Sequence, residues 1–369
     1  MNQIPNSAGF NLAGGKIGVL VLHGFTGSPL SITPWAKYLN SLGYTVSAPC
    51  LPGHGSSWQQ MNKTTWQDWY KAAEQELLEL QKNCDRVFIA GFSMGGALAL
   101  RLCQIRSSEI EGLLLLNPSI HDRRLFLKLI PLLKYFISSV KKGPTDIAAP
   151  NPIRHAYHRT PLKALDSLRK LWQIVQRDLY LIDLPIMVAY SINDHAVDPE
   201  NSMTVIDNIF SVDIREVIFE KSFHNVALDY DCDQLNAESK LFIQDVLSGE
   251  LKRGGEFNET DLVDAEFDSI VSGLSLDESS PTTYLDELDG IYEAERFIAP
   301  NPHRFRLNKN QRLSLVGLTS SLLYLIAYNL TDFEILGLWP VVIGVSASVA
   351  NLIWDTARKD DDYEDGAKL

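Results

Sequence analysis

A serine between two glycines is the first feature of this chain that could carry out chemistry. Ser93 is the centre of a Gly-Phe-Ser-Met-Gly stretch at 91–95, between the apolar run Arg86–Ala90 and a helical pattern. A serine at a sharp strand–turn–helix junction needs glycine on both sides, because its backbone is strained and the strand and helix approach closely. Such a turn raises the hydroxyl above the sheet edge, and this predicts acyl transfer through a covalent serine ester.

A nucleophilic serine needs a base, and the chain offers eight histidines. His224 directly follows the last predicted strand, so it should lie on a loop at the carboxyl edge of a parallel sheet, within reach of Ser93. We therefore expect His224 to be the base. A Gly-x-Ser-x-Gly string alone is equally typical of a surface turn, so the assignment depends on such partners.

The carboxylate that orients this base should follow the preceding strand. The apolar run Ile186–Tyr190 leads into a loop that contains Asp194 and Asp198, and both qualify by position. Either one gives the order serine, acid, histidine, which is the order used by serine hydrolases with a strand–turn–helix nucleophile. Asp194 could also be an ordinary turn residue.

Two backbone amides are needed to stabilise the oxyanion of an acyl-transfer intermediate. The residue after the nucleophile is Met94, whose amide should lie at the positive end of the following helix. The second donor should come from the loop after the first strand, His-Gly-Phe-Thr-Gly at 23–27, with the Phe25 amide the expected group. The glycines there would let the backbone approach a substrate.

Short apolar runs alternate with helical patterns through the first 250 residues, which predicts an α/β fold with a mostly parallel, doubly wound sheet. Helices are expected at Pro34–Leu42, Thr65–Lys82 and Gly96–Arg106. The predicted strands are Ile17–Leu22, Tyr44–Ala48, Arg86–Ala90, Leu113–Asn117, Ile186–Tyr190 and Glu216–Phe219.

The strand–helix rhythm is interrupted at 120–182, where no strand pattern is evident. Helical periodicity at Arg124–Val140 and Pro161–Leu181 predicts a helical cap, because the insertion is long for a plain crossover. We therefore assign residues 1–119 and 183–250 to the core and 120–182 to the cap.

The net charge of −13 argues against nucleic acid as a partner, and it is unevenly placed. Thirteen acidic residues and one basic residue lie between Glu256 and Arg296. We expect residues 251–305 to be an acidic, flexible linker and 306–369 to form a further unit with a terminal tail.

Two uncharged apolar runs in this further unit, 313–330 and 335–354, are long enough to be transmembrane helices, although a buried helical hairpin is the alternative. Basic residues flank both outer ends and are missing from the turn. The positive-inside pattern then predicts a multi-pass membrane protein that attaches through this hairpin, with its catalytic region on the cytoplasmic side.

Three stretches together resemble the α/β-hydrolase superfamily, and bacterial carboxylesterases and monoacylglycerol lipases most of all. They are Leu-Val-Leu-His-Gly-Phe-Thr-Gly at 20–27, Ala-Pro-Cys-Leu-Pro-Gly-His-Gly at 48–55 and Gly-Phe-Ser-Met-Gly-Gly at 91–96. The acid loop, Asp194-x-x-Val197-x-Pro199, and the histidine loop, Ser222-x-His224, are similar as well. The resemblance covers about residues 10–248 and does not reach the C-terminal part.

The resemblance implies a Ser93–His224–Asp194 triad, with Asp194 rather than Asp198 as its acid, and a hydrolase of short or medium acyl esters or of monoacylglycerols. It implies no cofactor and no metal. A thioesterase or acyltransferase would use the same triad. A membrane-tethered interaction protein that has lost its activity is the alternative from another class.

Overall fold

The computed structural model describes residues 7–253, 309–330 and 339–361. The chain divides into two compact units, Met1–Glu256 and Phe257–Leu369. Among the described residues, the strands all belong to the first unit: β1 (Phe10–Leu12), β2 (Ile17–Leu22), β3 (Thr45–Ala48), β4 (Arg86–Phe92), β5 (Gly112–Leu116), β6 (Ser139–Lys141), β7 (Arg159–Pro161), β8 (Ile186–Ser191) and β9 (Ile214–Phe219).

In the described residues, seven strands form one sheet in the order β1-β3-β2-β4-β5-β8-β9. All neighbours in this sheet are parallel except β1, which runs antiparallel to β3. The carboxyl ends of the parallel strands therefore share one edge, where the sites of such sheets form. We call it the carboxyl edge.

Helices connect the strands and cover the sheet, as the alternating pattern predicted. The helix α3 begins with a capping box, in which Asp68 accepts hydrogen bonds from the amide and hydroxyl of Thr65. The helices are α1 (Thr33–Ser41), α2 (Trp58–Met61), α3 (Trp66–Asn83), α4 (Met94–Arg106), α5 (Ile130–Leu133), α6 (Leu162–Arg177), α7 (Glu200–Asn208), α8 (Cys232–Ser248), α9 (Lys309–Leu330) and α10 (Trp339–Asp361).

The central strands are apolar throughout because helices cover both faces of the sheet. Phe88 of β4 and Leu114 of β5 are fully buried in a cluster with Trp35 of α1 and Phe242 of α8. All six predicted strands are present, with ends that differ by at most two residues. The sequence pattern missed β1, a three-residue edge strand without a buried alternation.

The predicted all-helical cap is wrong in its first half. Leu125–Leu129 is a 3-10 helix, α5 is a single turn, and the chain then enters β6, which pairs antiparallel with β7. The backbone hydrogen bonds of β6 come from a strand that lies about twenty residues further along, a partner that local periodicity does not reveal. The second predicted cap helix, Pro161–Leu181, is present as α6 followed by a 3-10 turn.

The two apolar runs near the C-terminus lie largely on α9 and α10, but the predicted transmembrane hairpin is not supported. Among the described residues, no helix is both long enough and apolar enough to span a membrane. Serine, threonine and asparagine recur along both helices, and charged residues occupy the start of α9 and the end of α10. The membrane localisation and orientation stay predictions.

Small residues bring α9 and α10 close together. A Cβ atom added to Gly317 would lie 2.2 Å from Ser348 Oγ, and one added to Gly344 would lie 2.1 Å from Ser321 Oγ. Glycine at these two positions therefore permits the close contact. The predicted acidic linker lies outside the described residues, except for residues 251–253.

Candidate active site

Ser93 occupies the turn between β4 and α4, at the carboxyl edge. Its φ of 56° and ψ of −118° are outside the regions that L-residues ordinarily adopt. Backbone hydrogen bonds hold this turn: the Ser93 amide donates to Leu116 O at the end of β5 at 3.0 Å, and the Gly96 amide in the first turn of α4 donates to Ser93 O at 2.9 Å. The surrounding structure holds the strained backbone in place, as active-site turns require.

The glycines around Ser93 are explained by close backbone contacts. A Cβ atom on Gly91 would lie 2.5 Å from Gly95 O, and one on Gly95 would lie 2.2 Å from Leu22 O. Neither position has room for a side chain, and the obstacle in both cases is backbone that cannot move aside. These backbone contacts explain why the turn needs glycine on both sides of the serine, as the sequence predicted.

His224 lies between Ser93 and Asp194. Its Nε2 is 3.1 Å from Ser93 Oγ, and its Nδ1 is 2.6 Å from Asp194 Oδ2. An ionised carboxylate only accepts, so Nδ1–H donates to Asp194 and Nε2 is left to accept from the serine hydroxyl. The imidazole ring also packs against Phe92, with 4.8 Å between ring centroids. The structure thus brings the three predicted residues together.

Asp194 and Asp198, which sequence position alone left open, have different surroundings. The Asp194 side chain is 1% exposed, and its second oxygen accepts from the amides of Ala196 and Val197, both at 2.8 Å. Asp198 is exposed and accepts from the amide of Glu200 at the start of α7. Asp198 therefore contacts the first residue of α7, and Asp194 is the carboxylate that contacts the histidine.

The loop that carries His224 is held by residues that sequence reasoning missed. Asn117 donates through Nδ2 to His224 O at 2.6 Å and accepts from the Ser191 amide at 2.8 Å, so it links the histidine loop to the end of β8. Asp231 accepts from the amides of Lys221 and Ser222. Asn117 could have been suspected, because it directly follows a buried strand at the carboxyl edge.

A buried carboxylate, Asp229, ties the cap to the same loop. Its Oδ2 accepts from the amides of Phe223 and Ala148, at 2.9 and 2.7 Å. Another cap residue, Asp146, accepts from the ring of His195 at 2.9 Å. No sequence pattern indicated the two contacts that the cap residues make, which join segments more than forty residues apart.

The two predicted oxyanion donors belong to two segments that meet at Ser93. Met94 begins α4, and Phe25 lies in the loop after β2. A Cβ atom on Gly24 would lie 3.1 Å from Ser93 Cβ, so this loop passes directly beside the nucleophile. We call residues 23–27 the oxyanion loop. The role of the Phe25 and Met94 amides stays a prediction.

Two other histidines, one in the oxyanion loop and one that packs against it, are unsuited to act as the base. His23 Nε2 accepts from the Leu51 amide at 3.2 Å and its Nδ1 contacts Gly24 O at 3.0 Å, while burial lowers the pKa of His23 to about 4. Burial also lowers the pKa of His54 well below its ordinary value. Their rings pack with those of Phe25 and Trp69 beneath the loop. They are neutral structural groups.

A serine on a strand–turn–helix elbow, beside a histidine and a buried carboxylate at the edge of a mostly parallel sheet, defines the class of the α/β-hydrolases. Comparison with known proteins agrees. The family model described as "Serine aminopeptidase, S33" (Hydrolase_4) matches residues 16–231. The chain therefore belongs to this family of the α/β-hydrolase superfamily.

Similar proteins include two from bacilli. The "Thermostable monoacylglycerol lipase" of Bacillus sp. (strain H-257) is 32% identical over 60% of this chain and 88% of its own length. The "Carboxylesterase" of Bacillus subtilis (strain 168) is 26% identical over 64% of this chain and 95% of its own.

A solved structure of a metagenome-derived lipolytic enzyme, from work on LipS and LipT, has a TM-score of 0.64 and 29% identity. It covers 66% of this chain and 99% of its own length. The chain is thus a hydrolytic enzyme related to carboxylesterases and monoacylglycerol lipases.

Proposed function

We propose that this chain hydrolyses carboxylic esters with lipid-like acyl groups, such as monoacylglycerols, through a covalent acyl–Ser93 intermediate. The observation that carries the proposal is the position of His224, 3.1 Å from Ser93 Oγ and 2.6 Å from Asp194 Oδ2. A histidine bonded on both sides in this way can take the serine proton while the buried carboxylate keeps its tautomer and stabilises its charged form.

The reaction then proceeds in two halves. In the first, His224 Nε2 takes the proton from Ser93 Oγ as that oxygen attacks the ester carbonyl carbon. The carbonyl oxygen becomes an oxyanion facing the Phe25 and Met94 amides. The bond to the alcohol breaks, and the His224 proton leaves with the alcohol. In the second half, His224 deprotonates a water molecule that attacks the acyl–serine, and Ser93 leaves with the proton as the carboxylic acid is released.

The preference for lipid-like esters is supported by an apolar row on the cap. Large apolar side chains recur at every third position through the 3-10 helix and α5 and are exposed, while those between them are buried. Phe126 and Leu129 share a face of the 3-10 helix, in which side chains three residues apart are aligned. Leu132 in α5 and the two aromatic residues just after it continue the exposed apolar stripe. Exposed apolar patches of this kind usually contact a hydrophobic ligand or surface. This cap stripe consists of Phe126, Leu129, Leu132, Tyr135 and Phe136.

Aminopeptidase activity, which the family description names, is less well supported by the site. An aminopeptidase would need a carboxylate free to bind the substrate's ammonium group. The carboxylates hydrogen-bonded to residues 222–224 are Asp194, Asp229 and Asp231, and each already accepts at least two hydrogen bonds from the protein. An ester substrate makes no such demand.

Replacing Ser93 with alanine tests the proposal. We expect Ser93→Ala to keep the fold and to lower kcat for p-nitrophenyl butyrate by roughly 10⁴-fold or more, because the nucleophile is lost. The unmodified chain should also react with a fluorophosphonate probe, and neither Ser93→Ala nor His224→Ala should. Retained turnover by Ser93→Ala would show that another group is the nucleophile.

The substrate class needs a separate measurement. A panel of monoacylglycerols, p-nitrophenyl acetate, an acyl thioester and an amino-acid p-nitroanilide compares the candidate activities on one enzyme preparation. We expect the highest kcat/KM for the monoacylglycerols. A clear preference for acetate or for the thioester would contradict the lipid-ester assignment while leaving the Ser93 mechanism intact.

A further inference from the structure

The oxyanion loop contains a strained threonine immediately after the predicted oxyanion donor. Thr26, which follows Phe25, has a φ of 62°. A β-branched residue rarely adopts this left-handed conformation, because its side chain clashes with its own backbone. Such a conformation persists only where neighbouring groups hold it. The contacts of Thr26 therefore bear directly on where the Phe25 amide points.

Both contacts that hold Thr26 come from the cap. Lys142 Nζ donates to Thr26 Oγ1 at 2.7 Å, and the Tyr157 amide donates to Thr26 O at 3.0 Å. Both cap residues lie at the end of the two-stranded β6–β7 ribbon, Lys142 directly after β6 and Tyr157 just before β7. The Lys142 amide also donates to His158 O there at 2.9 Å. The ribbon thus forms hydrogen bonds with both the side chain and the backbone carbonyl of the strained Thr26.

The ribbon is itself anchored to the core beside the oxyanion loop. The Tyr157 hydroxyl donates to Gly53 O at 2.8 Å and accepts from the Ser56 amide at 2.9 Å. Tyr157 is buried. The segment that carries Lys142 is therefore fixed against the core. Through its hydrogen bond to Thr26, Lys142 can hold the oxyanion loop in a fixed position as well.

The Lys142 ammonium is held at a cost in stability. Among the described residues, no carboxylate lies within ion-pair distance of it, and the charged or titratable groups that face it are Arg154 and the neutral His54. Burial, and then the charge of Arg154, lower the pKa of Lys142 to about 8. The Lys142 side chain is partly buried. Withdrawing a cation from water without giving it an ion pair destabilises a fold, so a gain in stability does not explain this hydrogen bond.

We propose that Lys142 is a positioning residue: by holding Thr26, it aims the Phe25 amide at the oxyanion and couples the seating of the cap to catalysis. This inference rests on the proposed ester hydrolysis. It assigns to the β6–β7 ribbon a role besides covering the site, since the oxyanion hole is completed only when the ribbon is in place.

Removing either partner of the hydrogen bond tests the inference. Lys142→Met and Thr26→Val should each lower kcat for p-nitrophenyl butyrate about tenfold or more, with little change in KM, because a misplaced donor weakens the transition state more than substrate binding. The double variant should lose no more than either single variant. Lys142→Arg and Thr26→Ser keep the donor and the hydroxyl, so each should recover part of the activity.

The neighbouring Lys141→Met is the matched control, since Lys141 is exposed on the same ribbon. It should retain the activity of the unmodified chain. If the unmodified chain is active and Lys142→Met equals Lys141→Met, or if the losses of the double variant add, the positioning role is wrong and the proposed function stands. If the unmodified chain hydrolyses no ester, the proposed function itself fails.

If Lys142 only stabilised the fold, replacing it would lower the free energy of unfolding. We expect no such loss at pH 7. Between pH 8 and pH 10.5 the unfolded chain keeps the lysine proton that the folded chain has lost, so this group makes folding more favourable as pH rises. Below pH 8 the partly desolvated charge of Lys142 lowers the free energy of unfolding. Lys142→Met should therefore unfold no more easily than the unmodified chain at pH 7 while having a lower kcat. A large fall in its unfolding midpoint would contradict the inference.

The pH profile gives an independent readout. The kcat of the unmodified chain should decline as pH rises through about 8, where Lys142 loses its proton and becomes a weaker donor. Arginine stays charged, so Lys142→Arg should lack this alkaline decline. An identical alkaline limb in both proteins would overturn the proposed link.

Discussion

The core and the cap of the first unit use similar apolar residues in opposite ways. Phe88 in β4 is fully buried between helices, whereas Phe136 in the cap is 80% exposed. Polar groups differ too: the core residues around Ser93 are bound to one another across strand ends, while cap residues reach the site through a few hydrogen bonds to its loops. Ser93, Asp194 and His224 are thus held at the carboxyl edge of the sheet, and the cap contacts the loops beside them.

Charge separates the two regions as well. Residues 120–182 contain twelve lysines and arginines and four aspartates, although the whole chain has a net charge of −13. The cap therefore presents a basic and partly apolar surface over a core that is not basic. Substitutions in the core should mainly change stability or chemistry, and substitutions on the exposed cap surface should leave the free energy of unfolding nearly unchanged.

The largest predicted effect is the difference in kcat between substitutions of Asp194 and Asp198, the two aspartates that the sequence left as alternatives. Asp194→Asn should lower kcat by roughly 10⁴-fold, because the histidine then loses its charged partner and its tautomer. Asp198→Asn is the matched control, since its side chain contacts the start of α7. Measuring kcat for both variants on one ester decides the matter, and equal losses would place the acid elsewhere.

The core–cap contrast predicts a large difference between two identical substitutions. Phe88→Ala should reduce the free energy of unfolding by about 3–5 kcal/mol, because it opens a cavity in a packed core. Phe136→Ala should change it by only about 0.5 kcal/mol or less. Urea unfolding followed by tryptophan fluorescence measures both, and a comparable loss for Phe136→Ala would mean that the cap surface is packed.

The smallest effect concerns acid. Burial lowers the pKa of His23 to about 4 from an ordinary value of 6.5. Between these two pH values the unfolded chain binds a proton on His23 and the folded chain does not. The stability from this group is fully present above pH 6.5 and is lost as pH falls towards 4, by roughly 3 kcal/mol. Unfolding midpoints between pH 7 and pH 4 should fall, and His23→Gln should reduce that slope. An unchanged slope would exclude His23 as its source.

Prediction from sequence succeeded where the signal was local. The apolar runs of β2, β4 and β5 are continuous because both faces of the sheet are covered, and their ends are marked by glycine and charge. The Ser93 turn is likewise predicted from five adjacent residues, 91–95. Periodicity misled in the cap, where apolar residues at every third position fit an α-helix as well as the observed 3-10 helix, and where β6 depends on a distant partner.

The sequence by itself determined the parallel α/β core and the residues with catalytic potential, because strand patterns and a glycine-flanked serine follow from local sterics and burial. The tertiary structure decided which aspartate meets His224, since both lie in one loop and only chain folding distinguishes a buried from an exposed carboxylate. It also revealed that Asn117, Asp229 and Lys142 hold the loops of the site. Those contacts join segments far apart in the chain, and their geometry depends on packing that no local pattern encodes.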